Sequence, residues 1–343
     1  MELHGVTRYL LDPITSELFS PGSILSIYSL ICTFVFAVCA LAWRRKKRRG
    51  HAGLPAIFRA IARTPVAAHK SFHADVKILA LCLFVLPPVM LTLMISAHAV
   101  SVAVRSSLQA IFGSVHFFGG HDALIVAVST IILFLAYEIG YFVDHYLKHR
   151  VEFLWELHKV HHTAEVLTPL TNYRNHPLDN VIFGYMLSTF IGGASGVLAW
   201  LFDRETQIIA IDGKNVIFIV FLWTIGHLQH SQFWIPVRGA WGRVIMSPAH
   251  HQIHHSDDPR HFNRNMGSVL ALWDWMFGTL EIPSAENPRL SYGVKEEGED
   301  AHSWFGILAT PVVGAASALW RALVSVKNSF SSAGNSVTDI VSD

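Results

Sequence analysis

Along this chain the hydrophobic positions fall into long unbroken runs, not the alternating or 3.6-residue stripes of half-buried strands and helices. Residues 23–43, 76–98, 122–143 and 181–202 are each predominantly apolar. Each run has about the 20 residues a helix needs to cross a hydrocarbon layer of about 30 Å. A shorter run, 216–230, starts in effect near Ile208 and is interrupted by Asp212, Gly213, Lys214 and Asn215. Pro87 and Pro88 remove two backbone donors from the second run and predict a kink there. Gly192, Gly193 and Gly196 in the fourth predict a close helix crossing. Residues 303–326 are only moderately apolar and rich in Gly, Ala and Ser. They predict an interfacial helix rather than a sixth crossing, followed by a disordered tail.

The pattern thus predicts an all-α polytopic integral membrane protein with four to six spanning helices. It divides into N-terminal spans and a basic loop (1–121), a central histidine-rich unit (122–283) and a C-terminal interfacial helix with its tail (284–343). A basic run, Arg44 to Arg49, follows the first apolar stretch at once. A cleaved leader would carry its charges ahead of a shorter apolar core, so the stretch is expected to be an anchor. Positive charge stays cytoplasmic, which puts the N-terminus outside. Counting spans from there brings every dense histidine group to one face, the cytoplasmic one, as a helical cap.

Composition agrees with a membrane protein. Hydrophobic residues make up 52% and charged residues 15% of the 343, against about 25% charge in soluble domains. A net charge of +1 gives no general attraction to nucleic acid. The three cysteines, Cys32, Cys39 and Cys82, lie in apolar stretches and form no metal-binding pair. Histidine changes the picture, because 13 of the 21 lie between His145 and His261.

Those histidines sit at helical spacings. His145 and His149 are one turn apart, and His158, His161 and His162 share a face. His227 and His230 follow at i, i+3, and His251, His254 and His255 repeat the second pattern. Ten imidazoles in four groups suit two metal ions, since neutral imidazole ligates iron, copper, nickel and zinc. Structural zinc takes four ligands and usually includes thiolate, so a redox metal pair that activates dioxygen, iron above all, is expected. Stacked imidazoles without a metal would repel if protonated and waste hydrogen bonds if buried.

The order HxxxH, HxxHH, HSQFW and HxxHH, with NMGSVLALWDWMFGT at residues 265–279, resembles the fatty acid hydroxylase/sterol desaturase superfamily. The stretch LWELHKVHHT and the RNHP element at residues 174–177 strengthen the likeness, which runs from about Ala136 to Ile282. The resemblance implies a membrane di-iron enzyme that uses O2 and two electrons to hydroxylate or desaturate a lipid. By motif, its ligands would be His145, His149, His158, His161, His162, His230, His251, His254 and His255, with His227 as a further one. His176 is expected at the pocket or behind the ligands. Asp144 and Asp274 are expected to accept the second ring N–H of ligating histidines. Glu138, an acid within a span, is expected at the substrate cavity or paired with a polar group, and Asn265 is expected to support the site. The short, unfused form resembles the bacterial branch, which implies a bacterial inner membrane.

Neither an HPGG haem-domain element nor a GxGxxG fingerprint occurs. Electrons are therefore expected from a separate ferredoxin, rubredoxin or cytochrome b5-type protein at the cytoplasmic face. Two other classes compete. A bis-histidine haem carrier would need facing histidine pairs at membrane depth, whereas these come in tight triplets at helix ends. A membrane zinc hydrolase would need HExxH or its inverse, and both are missing.

Overall fold

The computed structural model describes residues 2–50, 53–62, 66–115, 122–294 and 300–340, and helices carry most of them. The N-terminal helices are α1 (Glu2–Phe19), α2 (Ile27–Arg49), α3 (Leu54–Ala62), α4 (Lys70–Phe84), α5 (Leu86–Leu93) and α6 (Ala97–Phe112). The central unit holds α7 (Asp122–Arg150), α8 (Glu152–His162), α9 (Pro177–Leu201), α10 (Val216–Phe221), α11 (His227–Gln229), α12 (Pro248–His254) and α13 (Leu272–Phe277). Two more, α14 (Trp304–Leu308) and α15 (Thr310–Ile340), close the chain. Among the described residues, five stretches are long and apolar enough to cross a membrane: Ile27–Arg49, Leu86–Phe112, Asp122–Arg150, Pro177–Leu201 and Trp304–Lys327. The protein is an all-α, polytopic integral membrane protein, and the hydrophobic pattern anticipates that class.

The second apolar run differs from its predicted bounds. Instead of one kinked span over 76–98, α4 stops at Phe84 and α5 restarts at Leu86 with proline in its first turn. There the missing N–H groups are needed by no helical partner. The crossing stretch is Leu86–Phe112, while α4 turns into the interior. Its Ala74 and Ile78 pack with Val160 of α8 and Ile307 of α14, all but sealed from solvent. An aspartate at position 75 explains why: its buried carboxylate pairs with Arg174, a contact that apolar lipid could not supply.

Small residues set the helix spacing. A Cβ on Gly192 would lie 2.5 Å from the Ala97 carbonyl oxygen, and one on Gly196 would lie 2.6 Å from that of Ser101. The backbones of α6 and α9 therefore touch along a glycine stripe, as the GGASG segment predicts. On α2 the buried stripe is Ser29, Thr33 and Ala37. It lies against the segment from α10 to α11, which is interrupted by a π turn at Leu222–Gly226. Thr33 donates its hydroxyl to the Leu222 and Trp223 carbonyls of that turn, at 3.3 and 3.2 Å. Ahead of α10, Asp212 and Gly213 adopt positive φ and close a two-residue hairpin between strands β1 (Ala210–Ile211) and β2 (Lys214–Asn215). Thr130 of α7 satisfies the hairpin ends, accepting from the Ile209 N–H and receiving the Asn215 amide on its carbonyl.

At the C-terminus, Trp304–Lys327 meets the length and apolarity of a span where an interfacial helix is predicted. Its packing runs along the histidine-bearing end: α14 places Ile307 on Val160, and Arg321 pairs with Glu152 at the other end of α8. The helical course continues to Ile340, past the predicted start of a disordered tail. No proline follows Pro311 to break it.

Candidate metal centre

Local sequence fixes each histidine-bearing turn. On α7, His145 and His149 occupy its last two turns. Val151 leaves helical geometry and lets α8 begin immediately, carrying His158, His161 and His162. His230 follows α11 at φ −100° and ψ 71°, outside helical geometry. A capping box starts α12: the Ser247 hydroxyl accepts from the His250 N–H, and the His250 ring accepts from the Ser247 N–H at 3.2 Å. Pro248 fills the first turn. His251 and His254 then lie on α12, with His255 as its C-cap.

Nine imidazoles converge as two groups. One holds His145, His149, His158, His162 and His254; the other holds His161, His230, His251 and His255. Within each group the available nitrogens all lie within 4.8 Å of one another. Each HxxHH triplet is shared between the groups. On α8 the i, i+4 pair His158/His162 joins the first group while His161 turns to the second. On α12 the pair His251/His255 belongs to the second while His254 crosses to the first.

The nitrogens suit a bound cation. In the first group the Nε2 atoms of all five rings are buried and find no hydrogen-bond partner among the described residues. Leaving one such group unsatisfied costs about 1–3 kcal/mol, and five at one point fit a shared cation. In the second group His230 Nε2 lies 3.2 Å from His161 Nε2 and 3.0 Å from the Nε2 atoms of His251 and His255. Metal–imidazole bonds of about 2.0–2.1 Å would set tetrahedral nitrogens about 3.3 Å apart. Outside the spanning segments, burial first and the neighbouring imidazoles second push His161, His162, His251 and His255 well below the ordinary histidine range. Burial likewise lowers His254 to about 3. Neutral rings are the form that ligates metal.

The second ring nitrogens are held from behind. His145 Nδ1 donates to the Met266 carbonyl at 2.7 Å, His254 Nδ1 to that of Arg264 at 2.8 Å, and His230 Nδ1 to Asn172 Oδ1 at 3.0 Å. His158 Nδ1 lies 3.1 Å from Asp179 Oδ2. The carboxylate on a ring is thus Asp179. Lys148 sits between Asp179 and Asp144, at 2.7 and 2.6 Å from their oxygens. Asp144 reaches the cluster only through that lysine. Its sequence signal was the lysine itself, one residue before His149 and inside the ligand-bearing turn.

The remaining expected residues act on the backbone. Asp274 accepts from the Met266 and Gly267 N–H groups at 2.8 and 2.7 Å, so it supports His145 through the loop and touches no histidine. Glu138 accepts from Val269 and Leu270, pinning the same loop to α7. Asn265 bridges His250 and Glu281 through their backbones. His176 caps α9 and bonds the Leu308 carbonyl, away from the cluster. His227 stands apart as well, with its Nε2 2.7 Å from the Ser29 hydroxyl of α2.

Two cavities reach the histidines. One, of about 490 Å³, touches His145, His158, His161, His230 and His251 and is lined by Tyr141 of α7, Phe183 of α9 and Phe218 and Phe221 of α10. The other, of about 540 Å³, touches His149, His162, His254 and His255.

Comparison with known proteins agrees with the geometry. The fatty acid hydroxylase family profile matches residues 130–279, which hold all nine clustered histidines. Alkylglycerol monooxygenase of Homo sapiens is 27% identical over 169 residues, covering 47% of this chain and 32% of that protein. Lathosterol oxidase of Homo sapiens is 26% identical over 182 residues, 52% of this chain and 54% of that protein. A Delta(7)-sterol 5(6)-desaturase of Gibberella zeae is 30% identical over 162 residues, 47% and 44% of the two chains. The matched region thus spans about a third to a half of these relatives. No solved structure matches. Over residues 130–279 the chain is thus similar to the fatty acid hydroxylase/sterol desaturase superfamily.

Proposed function

We propose that the protein is an O2-dependent di-iron oxidase that hydroxylates or desaturates a membrane lipid at an unactivated C–H bond. The observation that carries this is the pair of adjacent all-imidazole groups, five buried and unpaired Nε2 atoms in the first and four converging Nε2 atoms in the second, beside a cavity lined by Tyr141, Phe183, Phe218 and Phe221. His145, His149, His158, His162 and His254 would hold one iron and His161, His230, His251 and His255 the other. When bound, the irons supply the activation of O2 and the removal of hydrogen from carbon. The chain's own residues orient and exclude. Asp179, Asn172 and the Met266 and Arg264 carbonyls fix four rings, while the aromatic walls of the cavity hold an apolar chain and keep water out.

The relatives' names, an alkylglycerol monooxygenase and sterol desaturases, support lipid oxidation and leave both reaction outcomes open. A bacterial inner membrane is the proposed location, and the basic run at Arg44–Arg49 supports placing the histidine end in the cytoplasm. The electron donor would be a separate ferredoxin, rubredoxin or cytochrome b5-type protein. A haem carrier fits poorly, because four or five imidazoles converge on each site, where a porphyrin needs two axial ligands and an open plane between them. The test is comparative lipid mass spectrometry with and without the gene, together with metal analysis of the purified protein. One lipid class gaining an oxygen or losing two hydrogens, with two irons per chain, is expected. Zinc alone, and no activity after iron loading under reducing conditions, would refute the proposal and favour the zinc hydrolase reading.

A further inference from the structure

The two cavities divide the nine clustered histidines between them without sharing one. Five rings face the first cavity and four the second. The cluster is therefore a partition between two chambers. Side chains of spanning helices, such as Leu86, Tyr137, Tyr141 and Phe183, form one part of the first chamber's wall, and α8, the Asn172-bearing turn and the segment from α10 to α11 form most of the rest. The second is walled by residues outside the spanning helices, apart from His149 in the final turn of α7. Its walls include Ser256, Asp257, Asn263 and Val294, and its rim carries Phe262, which is 55% exposed.

Resting on the di-iron reading above, we propose that the second chamber is the aqueous port through which a hydrated divalent first-row metal ion reaches the histidine cluster. In the first chamber a hydrated dication would shed water against Tyr137, Phe183, Phe218 and Phe221 and meet the Lys148 ammonium beside Asp179. In the second chamber it meets a carboxylate at Asp257, then His149, the one clustered ring that is not fully buried, then the unpaired Nε2 atoms of His162 and His254. His255, of the other group, lines the same chamber, so both groups are served from it. Trp155 sets the inner width, its ring centroid 5.1 Å from that of His149 and 5.3 Å from that of His162.

Residues 291–294 form the outer wall as a strap. Asp257 N–H donates to the Ser291 carbonyl, Tyr292 bridges Ser256, and Val294 N–H donates to the His162 carbonyl at 3.1 Å. Gly293 makes this possible: it sits at φ 101°, and a Cβ there would lie 2.9 Å from Glu165 Cγ. The strap covers one side of the chamber among the described residues, and Phe262 stands exposed on its lining.

The test uses the full chain in detergent and Zn2+ alone as the probe. Phe262→Cys, coupled after folding to a bulky maleimide, blocks the rim without disturbing assembly. Wild type treated with the same reagent controls for Cys32, Cys39 and Cys82. Apo-protein uptake of Zn2+ is expected to slow by about tenfold on coupling, as access constraints do, and to quicken in Phe262→Ala. Phe218→Trp, which narrows the first chamber, should leave the uptake rate unchanged. Uptake that ignores the coupled group, or that slows in Phe218→Trp, overturns the port. The endpoint separates the two readings. No Zn2+ held at saturation overturns the metal centre and the port together, whereas two per chain at an unaltered rate overturns the port alone.

Discussion

Replacing Asp75 with alanine strands a guanidinium in the interior. Arg174 and Asp75 are both 0% exposed. Arg174 Nη1 donates to Asp75 Oδ1 at 2.8 Å and to the Ser71 carbonyl at 2.9 Å. Its other donors go to the Val160 carbonyl, the Thr163 hydroxyl and His302 Nδ1. Asp75 also accepts from Thr168 and Thr171. Removing one member of a buried ion pair costs about 3–5 kcal/mol, because the remaining charge is left uncompensated. Deleting both charges, as Asp75→Leu with Arg174→Met, should recover most of that. The assay is thermal unfolding of the purified protein in detergent. Asp75→Ala should melt about 5–10 °C below wild type, and Asp258→Ala, at an exposed pair, should barely move. The residues involved tie α4, the end of α8 and the Asn172-bearing turn together, so metal content should fall as well. If Asp75→Ala melts with wild type while its double variant does not improve on it, the pair holds nothing together and the reasoning fails.

Asp179→Asn removes the carboxylate that orients His158, and metal affinity should fall about 10- to 100-fold in a competition titration; unchanged affinity would show that His158 needs no such support. Gly196→Leu would drive a side chain into the Ser101 carbonyl and part α6 from α9, costing about 1–3 kcal/mol, while Gly193→Leu, with open space around it, should melt like wild type. His230→Ala should lose metal measured by mass spectrometry, whereas His227→Ala should keep it, because His227 faces Ser29. Acid should destabilise the metal-free protein. Burial lowers His254 to about 3 and His250 to about 4, so the unfolded chain binds protons first. Stability is fully present above about pH 6.5 and declines toward pH 3, which melting temperatures across that window will report.

Helical periodicity carried much of the candidate site. The spacings of HxxxH and HxxHH alone put His145 with His149, and His158 with His162, on single faces, since 3.6 residues per turn leaves them no other arrangement. Composition and run length decided the membrane class for an equally local reason: about 20 apolar residues fit one layer of hydrocarbon. Pro87 and Pro88 were legible as a break, yet not as the place where a chain turns inward, because that depended on a partner for Asp75 about a hundred residues away. The same limit separates Asp144 and Asp274 from Asp179. All three lie near histidines in sequence, but only packing of α7 against α9 brings the Asp179 carboxylate to His158 and Lys148.

What the sequence determined by itself was therefore everything set by spacing along one element: the apolar runs, the ligand-bearing helix faces, the glycine crossing. What only the tertiary structure decided was the exchange of one histidine between the triplets, His161 to one group and His254 to the other, and the two chambers that meet at them. Neighbours on a helix are fixed by its rise and twist. Neighbours across helices are fixed by how side chains close space between them, and no local pattern contains that.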